Sequence, residues 1–497
     1  MSATQQRRER DYGLDQLRQP TLLREFAYVN GQWLAGSDDS TIAVYNPANQ
    51  AWLGSVASLT AEQSMQAVKD AQQAYLSWCC VLPQQRSRIL HNWFQLIQEH
   101  KQDLALLITL EQGKPISEAL AEIDYAASFV EFFAEEAKRL NIESVMSHLP
   151  NAEMEVWREP IGVAGLIIPW NFPVAMLTRK AGAALATGCS VIVHPCHETP
   201  FSALALAQLA EQAGMPPGVF NVISGHASTV VAPWMHMPEV RIISFTGSTD
   251  IGRLLYRQSA DTIKRLVLEL GGHAPFIVFA DANIERAVDC AISAKFATSG
   301  QDCLAANRFF IERPVYEPFC QLFSKKTAAL SVGPGIDDPA IGPLINEQAM
   351  LKQQLHIEDA LAKGARLLTG GSRLAEQQLY FQPTVLADVS LDALIFKEET
   401  FGPVAALTAF DQEADVIELA NSSEYGLISY VHSENAHRIY RLTRALQSGM
   451  VAVNRTKVTG APIPFGGMKQ SGIGREGARL GMEAYTEVKY VCRDYEN

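Results

Sequence analysis

Between Ile161 and Phe245 the chain alternates short, uninterrupted apolar runs with helical spacing, and this pattern restricts its architecture more than any other feature. The runs are Val163-Ala164-Gly165-Leu166-Ile167-Ile168, Ser190-Val191-Ile192-Val193, Val219-Phe220-Asn221-Val222-Ile223 and Arg241-Ile242-Ile243-Ser244-Phe245. Helical stretches follow them, through Ala186 after the first and from Phe201 after the second. A strand that is apolar on both faces must be covered on both, so the pattern predicts a parallel sheet flanked by helices, with right-handed crossovers. A second α/β block starts at Pro275-Phe276-Ile277-Val278-Phe279, passes Arg308-Phe309-Phe310-Ile311 and the Gly-rich stretch from Gly364 to Gly371, and ends near Val451-Ala452-Val453-Asn454.

Two such blocks suit a chain of 497 residues, which exceeds what one core usually absorbs. Upstream, Ala27 to Pro47 alternates around Asn30-Gly31 and Gly36-Ser37 as short antiparallel strands do. From Thr60 to Ala134 the spacing is helical, with Leu90, Trp93, Phe94 and Ile97 on one face and Leu104, Leu107 and Ile108 on the next. The last residues, Ala484 to Val491, alternate like a strand without a partner within reach, which predicts an arm pairing with another subunit of a homodimer or homotetramer. The expected division is an N-terminal arm (1–26), a Rossmann-like cofactor-binding domain (27–135 and 160–270), an α/β catalytic domain (271–450) and a small β oligomerisation arm (136–159 and 478–497).

A formal net charge of -13 has the wrong sign for a nucleic-acid or anionic-membrane partner. No apolar run reaches the roughly 18 residues that span a bilayer. The cluster Arg7, Arg8 and Arg10 is broken by Glu9 and Asp11, which suits a solvated arm better than a transit peptide. A cytoplasmic protein is the expectation. Its eight cysteines lack CxxC or CxxH spacing, so no metal site is expected and most should be small buried hydrophobes.

Cys303, in Gly300-Gln301-Asp302-Cys303, becomes exceptional through its companions. Glu269-Leu270-Gly271-Gly272 sets a carboxylate against the apolar run Leu266-Val267-Leu268, where its pKa should rise toward that of a general base. Pro169-Trp170-Asn171-Phe172-Pro173 follows a predicted parallel strand, at the edge where open α/β sheets bind ligands, and the Asn171 amide there can donate to a developing oxyanion. In Phe245-Thr246-Gly247-Ser248-Thr249-Asp250-Ile251-Gly252 a strand turns through glycine into a helix, which suits a pyrophosphate.

These four segments in this order, with Lys397-Glu398-Glu399-Thr400-Phe401-Gly402-Pro403 and Pro464-Phe465-Gly466-Gly467-Met468-Lys469-Gln470-Ser471-Gly472, resemble the aldehyde dehydrogenase superfamily from about Ala27 to Val491. Thr178-Arg179-Lys180, Ala274-Pro275-Phe276-Ile277-Val278-Phe279 and Gly472-Ile473-Gly474-Arg475-Glu476-Gly477 are similar to the succinate-semialdehyde dehydrogenases within it. The resemblance implies that a Cys303 thiolate attacks the aldehyde while Asn171 and the Cys303 N–H hold the oxyanion, and that hydride passes to NAD or NADP. Glu269 would then activate the water that hydrolyses the thioester, with Lys180 and Glu476 as a proton path. It implies that Glu399 binds the nicotinamide ribose with Phe401 beside it, that Pro169, Trp170, Gly247, Ser248, Gly252 and Leu270 also meet the cofactor, and that Phe465 meets the substrate. Superfamily members that pass the acyl group to coenzyme A characteristically lack the base, so Glu269 implies release of a free acid.

The chain departs from the family at several points. The segment that handles the adenosine ribose reads His194-Pro195-Cys196-His197-Glu198-Thr199-Pro200, with histidines where a lysine and a serine or glutamate are usual. Loss of the fixed lysine charge leans the expectation to NAD. Asp302 puts a carboxylate beside a thiol that must ionise, with Arg455 and Lys457 as candidates to offset it, and Ala297 replaces an arginine. Convergence of Arg179 with Arg455 would select an anionic semialdehyde, whereas Asp302 facing the substrate unpaired would select an aminoaldehyde. A coenzyme A-dependent enzyme, or an impaired homologue kept as a binding subunit, are the competing functions. His273 has no counterpart reading.

Overall fold

The computed structural model describes residues 12–140, 142–375 and 378–494. The basic cluster at Arg7, Arg8 and Arg10 lies outside them. The remainder of the predicted arm packs against the body of the protein. Leu17 and Leu22 are buried, and the N–H groups of Arg18 and Gln19 donate to the Asp103 carboxylate at 2.9 and 3.0 Å.

The first sheet has eight strands, in spatial order Gly472–Ile473, Arg265–Glu269, Val240–Thr246, Val163–Ile167, Ser190–His194, Phe220–Val222, Ala27–Val29 and Gln32–Leu34. The run from Arg265–Glu269 to Phe220–Val222 is parallel, and the strand pairings beyond it at both edges are antiparallel. Ranked by chain position, the parallel strands follow the Rossmann-like order 3-2-1-4-5, so crossovers leave in opposite directions from Val163–Ile167 and Val240–Thr246. The crevice between the carboxyl ends of those two strands is the topological switch point, where such sheets bind ligands. The Val163–Ile167 and Ser190–His194 strands are buried at every position, as the uninterrupted apolar runs require, and the helix Pro173–Thr187 is buried all round.

The second sheet has seven strands, in the order Arg366–Thr369, Thr384–Ala387, Val404–Phe410, Ala306–Glu312, Ala274–Val278, Ile428–His432 and Met450–Val453, all parallel except the first. Beyond it the chain returns to the first sheet, where Gly472–Ile473 pairs with Leu268 and Glu269, a crossing absent from the expected boundaries.

The C-terminal strand corrects an expectation. Thr486–Asp494 has a partner in its own chain, Ala152–Pro160, which it pairs over its full length in an antiparallel ladder, with Glu143–Val145 beyond. That partner lies so far upstream that periodicity near the C-terminus gave no sign of it. The outer edge of Thr486–Asp494 is unpaired in this three-stranded sheet, with Val488 and Tyr490 exposed. Among the described residues no helix is long and apolar enough to cross a membrane.

Candidate active site

A cavity of about 590 Å³ opens at the switch point. Pro169, Trp170 and Asn171 line it from the turn after Val163–Ile167, Gly247 and Ser248 from the turn after Val240–Thr246, and Leu270 from the end of Arg265–Glu269. Asp302, Cys303, Glu399 and Phe401 face it from the second block, Phe465 from the returning segment, and Arg179 from the helix Pro173–Thr187. Twelve widely separated positions singled out in the sequence thus share one wall.

The Cys303 loop is built under strain. Thr298, Ser299 and Gly300 have φ of 51°, 58° and 72°, and such a run persists only where its surroundings over-determine it. Here the Thr298 N–H donates to both oxygens of Glu118 at 2.9 and 3.1 Å, and Ser299 Oγ donates to the Gly342 carbonyl at 3.0 Å. Gln301 Oε1 accepts the Ile345 N–H at 3.0 Å. A Cβ on Gly272 would lie 2.1 Å from the Cys303 carbonyl oxygen, so only glycine lets the two loops meet.

Asp302 turns back on this loop and accepts the Leu304 N–H at 2.9 Å. Burial pushes the Asp302 carboxyl up. Burial, followed by the charges of Asp302 and Glu399, pushes the Cys303 thiol well above the usual thiol range, with Arg179 opposing. The offsetting cation is therefore Arg179. Arg455 is exposed and does not line the cavity, because the backbone turns away at Asn454 (φ 52°), whose side chain is tied to Ser433 at 3.1 and 2.8 Å. Removal of the like charge in Asp302→Asn should lower the thiol pKa. The alkylation rate of Cys303 by iodoacetamide, followed against pH, is expected to reach its midpoint about one unit lower. An unmoved midpoint would show that Asp302 carries no charge near the thiol.

Behind the cavity lies a buried charge cluster. Arg179 Nε meets Glu476 Oε2 at 2.7 Å, and Lys180 Nζ donates to Glu476 Oε1 and, at 2.7 Å, to Thr246 Oγ1. Burial opposes the Glu476 charge, but Lys180 and Arg179 outweigh it and hold the carboxyl below its ordinary range. Burial, and then Glu476, push the Glu269 carboxyl well up against the pull of Arg179. Glu269 points at Gly466, where a Cβ would fall 2.7 Å from its Oε1, and does not line the cavity. Glu269, Lys180 and Glu476 thus form a group one layer behind Cys303.

His194 is buried outside the cavity lining, with Nδ1 3.1 Å from the Ile223 carbonyl, and burial lowers its pKa to about 4, so it stands neutral. His197 is largely exposed, with Nδ1 3.3 Å from Glu198 Oε2, an oxygen that also accepts the Cys196 thiol at 2.7 Å. Cys196, His197 and Glu198 bring three metal-ligand atoms within 4.8 Å of one another, a grouping not foreseen in the sequence, though both others already bond the carboxylate. Neither histidine lines the cavity. Gly252 does not either: a Cβ there would fall 2.4 Å from Leu270 Cδ2, so its smallness serves helix packing. His273 is buried beneath the Gly271–Gly272 turn, and burial holds its imidazole well below the usual range.

Several lining residues escaped the sequence reading, among them Tyr125, Met176, Lys352 and Thr459. Gln348, Ala349 and Lys352 share one face of the helix Glu347–Ala362, a spacing visible in sequence, but nothing local says that this face meets a ligand. Phe401, at φ 51°, packs edge-on to Trp170 with centroids 5.5 Å apart, and Glu399 Oε1 accepts the Gly272 N–H at 2.8 Å. Burial raises the Glu399 carboxyl to about 7.

The family described as "Aldehyde dehydrogenase family" matches residues 33–491. The chain is 48% identical over 477 residues to a succinate-semialdehyde dehydrogenase (NADP+) of Escherichia coli, covering 96% of this chain and 99% of that one. It is 47% identical over 479 residues to an aspartate-semialdehyde dehydrogenase (non-phosphorylating) of Halomonas elongata, covering 96% and 97%. The crystal structure of an aldehyde dehydrogenase from Brucella melitensis biovar abortus superposes with a TM-score of 0.96 at 46% identity, over 97% of this chain and 100% of that one.

Proposed function

This chain belongs to the aldehyde dehydrogenase family of NAD(P)-dependent oxidoreductases, and from that premise we propose that it oxidises a small anionic semialdehyde to the free acid through a thioester on Cys303. The observation that carries the substrate class is Arg179. Its guanidinium lines the cavity, is 1% exposed and is held protonated by Glu476, yet its Nη1 has no hydrogen-bond partner among the described residues. A buried donor of that kind is costly unless something anionic meets it, and a carboxylate at the far end of the substrate would. The two relatives named above act on aldehydes that carry such a carboxylate.

The residues present fit a dinucleotide. Gly247 and Ser248 line the cavity at the start of the helix Thr249–Gln258, whose N-terminal N–H groups and dipole suit a pyrophosphate, and half-buried Glu399, on the same lining, suits a ribose hydroxyl. Bound NAD(P) supplies the hydride acceptor. We favour NAD, because neutral His194 offers no positive charge to a 2′-phosphate and Glu198 sits against His197. In the chemical step Cys303 adds to the aldehyde carbon while the Asn171 amide and the Cys303 N–H receive the oxyanion. Glu269 then takes a proton from the hydrolytic water and hands it toward Lys180 and Glu476. We assign the unpaired edge of Thr486–Asp494 to contact between subunits of a homo-oligomer.

Asp302 supports a second substrate reading, since it lines the same cavity and one of its oxygens, the one not accepting the Leu304 N–H, suits an ammonium. Aspartate semialdehyde would use Arg179 and Asp302 together, whereas an aminoaldehyde would use Asp302 alone. Steady-state reduction of NAD and of NADP with succinate semialdehyde, aspartate semialdehyde and an aminoaldehyde separates these cases. Arg179→Met should lower kcat for any aldehyde, because the thiol loses its offsetting cation. It is expected to raise KM about 10- to 100-fold for the anionic substrate, the worth of one charge-assisted bond, and to leave KM within about 3-fold for a neutral aldehyde of equal length. Equal rises in KM for both would remove Arg179 from substrate recognition.

A further inference from the structure

We propose that Lys114 is a positioning residue for the Asn171 amide, holding it in register with Cys303 from outside the cavity; this rests on the reading of Asn171 as the oxyanion donor. Lys114 lies in the turn between the helices Lys101–Gln112 and Ile116–Glu136, is 2% exposed and does not line the cavity. Three groups contact its ammonium: Glu122 Oε2 at 2.6 Å, the Asn171 backbone carbonyl at 2.7 Å, and the Phe172 ring with its centroid at 3.9 Å. Burial raises the Glu118 and Asp302 carboxyls, and the Lys114 charge also pulls both down. Two of its donors are thus satisfied by oxygens, and the charge also lies over an aromatic face.

Glu122 completes the arrangement. Its other oxygen accepts the Val174 and Ala175 N–H groups at 3.0 and 3.2 Å, in the first turn of the helix Pro173–Thr187. That helix has no side-chain cap of its own at Phe172. One buried ion pair therefore holds both sides of the Asn171 residue, the carbonyl through Lys114 and the following turn through Glu122. The Asn171 side chain leaves the other way, where Nδ2 donates to the Gln301 carbonyl at 3.1 Å, two residues before the nucleophile.

The same turn touches the support of the nucleophile loop. A Cβ on Gly342 would fall 2.4 Å from the Gly113 carbonyl, so this segment packs directly on the residue before Lys114. Gly342 also accepts Ser299 Oγ, and the Ile345 N–H three residues on donates to Gln301. Lys114 thus stands where the backings of the amide and of the thiol meet. A buried ion pair is weak evidence for stability, since well-packed apolar groups often do as well. An apolar side chain of the same length would fill the space but leave the Asn171 carbonyl unanchored, and what would change is the geometry of the amide. A displacement of about 1 Å in such a group costs on the order of 100-fold in rate.

The test uses full-length Lys114→Met and, because that variant leaves Glu122 unpaired in the interior, Lys114→Met/Glu122→Gln as a second, neutral replacement. Rapid-mixing absorbance gives the first-turnover rate at saturating substrate. It is expected to fall about 10- to 100-fold in both, with KM within about 3-fold. Alkylation of Cys303 by iodoacetamide, which develops no oxyanion, is expected to stay within about 3-fold on the high-pH plateau, where the thiol is fully ionised and a change in the charge of Asp302 no longer enters. Introduced into Asn171→Ala, the same changes should alter the first-turnover rate less than about 2-fold, since there is no longer an amide to place. An equal fall in both backgrounds, or an unchanged rate in the folded double variant, overturns the anchor while leaving the oxyanion role standing. An unchanged rate in Asn171→Ala alone removes the oxyanion reading and the anchor with it.

Discussion

Cys303→Ala is expected to lower kcat/KM for NAD(P)-dependent acid formation by roughly 10,000-fold or more, the scale seen when a covalent nucleophile is removed from an otherwise intact site. Of the eight cysteines, Cys303 alone lines the cavity. Cys189 and Cys320 are buried elsewhere, and Cys79 and Cys80 sit at the end of a surface helix. The change should leave the fold intact. The bonds from Thr298 to Glu118, Ser299 to Gly342, Gln301 to Ile345 and Leu304 to Asp302 hold the loop without the sulfur. The close approach of Gly272 involves the Cys303 backbone, which alanine keeps. Binding of the cofactor, followed by fluorescence quenching, should therefore survive while absorbance from reduced cofactor does not develop. Substantial turnover in Cys303→Ala would end the thioester mechanism and shift weight to a directly hydrated aldehyde.

The sequence was legible wherever a residue's role depends on its own element. The apolar runs are strands because every position along Val163–Ile167 and Ser190–His194 is covered, and the turns after Val163–Ile167 and Val240–Thr246 face the cavity because the strand order reverses between those two. Roles that depend on a distant partner were hidden. Glu122 reads as an ordinary helical glutamate, yet it supplies the cap that the helix Pro173–Thr187 lacks, and Glu111 does the same for the helix at Pro200–Gln212 by accepting the Phe201 and Ser202 N–H groups at 2.8 and 2.9 Å. A cap acting across some 50 to 90 positions leaves no local signature, unlike Thr60 and Gln63, which form a capping box three residues apart. Arg455 shows the converse. Its expected convergence with Arg179 fails because a positive φ at Asn454 and a bond from the Asn454 amide to the Ser433 carbonyl turn the chain outward. The C-terminal strand failed for the same reason as the caps, since its partner Ala152–Pro160 lies in another part of the chain.

Glu269→Gln is expected to lower steady-state turnover by about 100- to 10,000-fold, the range of a general base, while leaving the first turnover nearly untouched. The two halves of the reaction ask different things of this residue. Acylation needs the thiol, the oxyanion donors and the hydride acceptor, none of which is Glu269. Deacylation needs a base for water, and burial with Glu476 nearby holds the Glu269 carboxyl well above its ordinary value, which makes it a better proton acceptor than a solvated glutamate once ionised. Glutamine keeps the volume and removes the base. Rapid mixing should then show a burst of reduced cofactor equal to the sites present, followed by a slow phase, with the thioester trapped on Cys303 detectable as a mass increase. The sign of the pH effect is set by the raised pKa: deacylation in the unaltered enzyme should climb as pH rises through it, and that limb should be missing in Glu269→Gln. Loss of the burst in proportion to the steady state would place Glu269 in thiol activation instead. An unchanged steady state would pass the base role to Glu476, which Lys180 and Arg179 hold ionised and which lies in the same buried cluster.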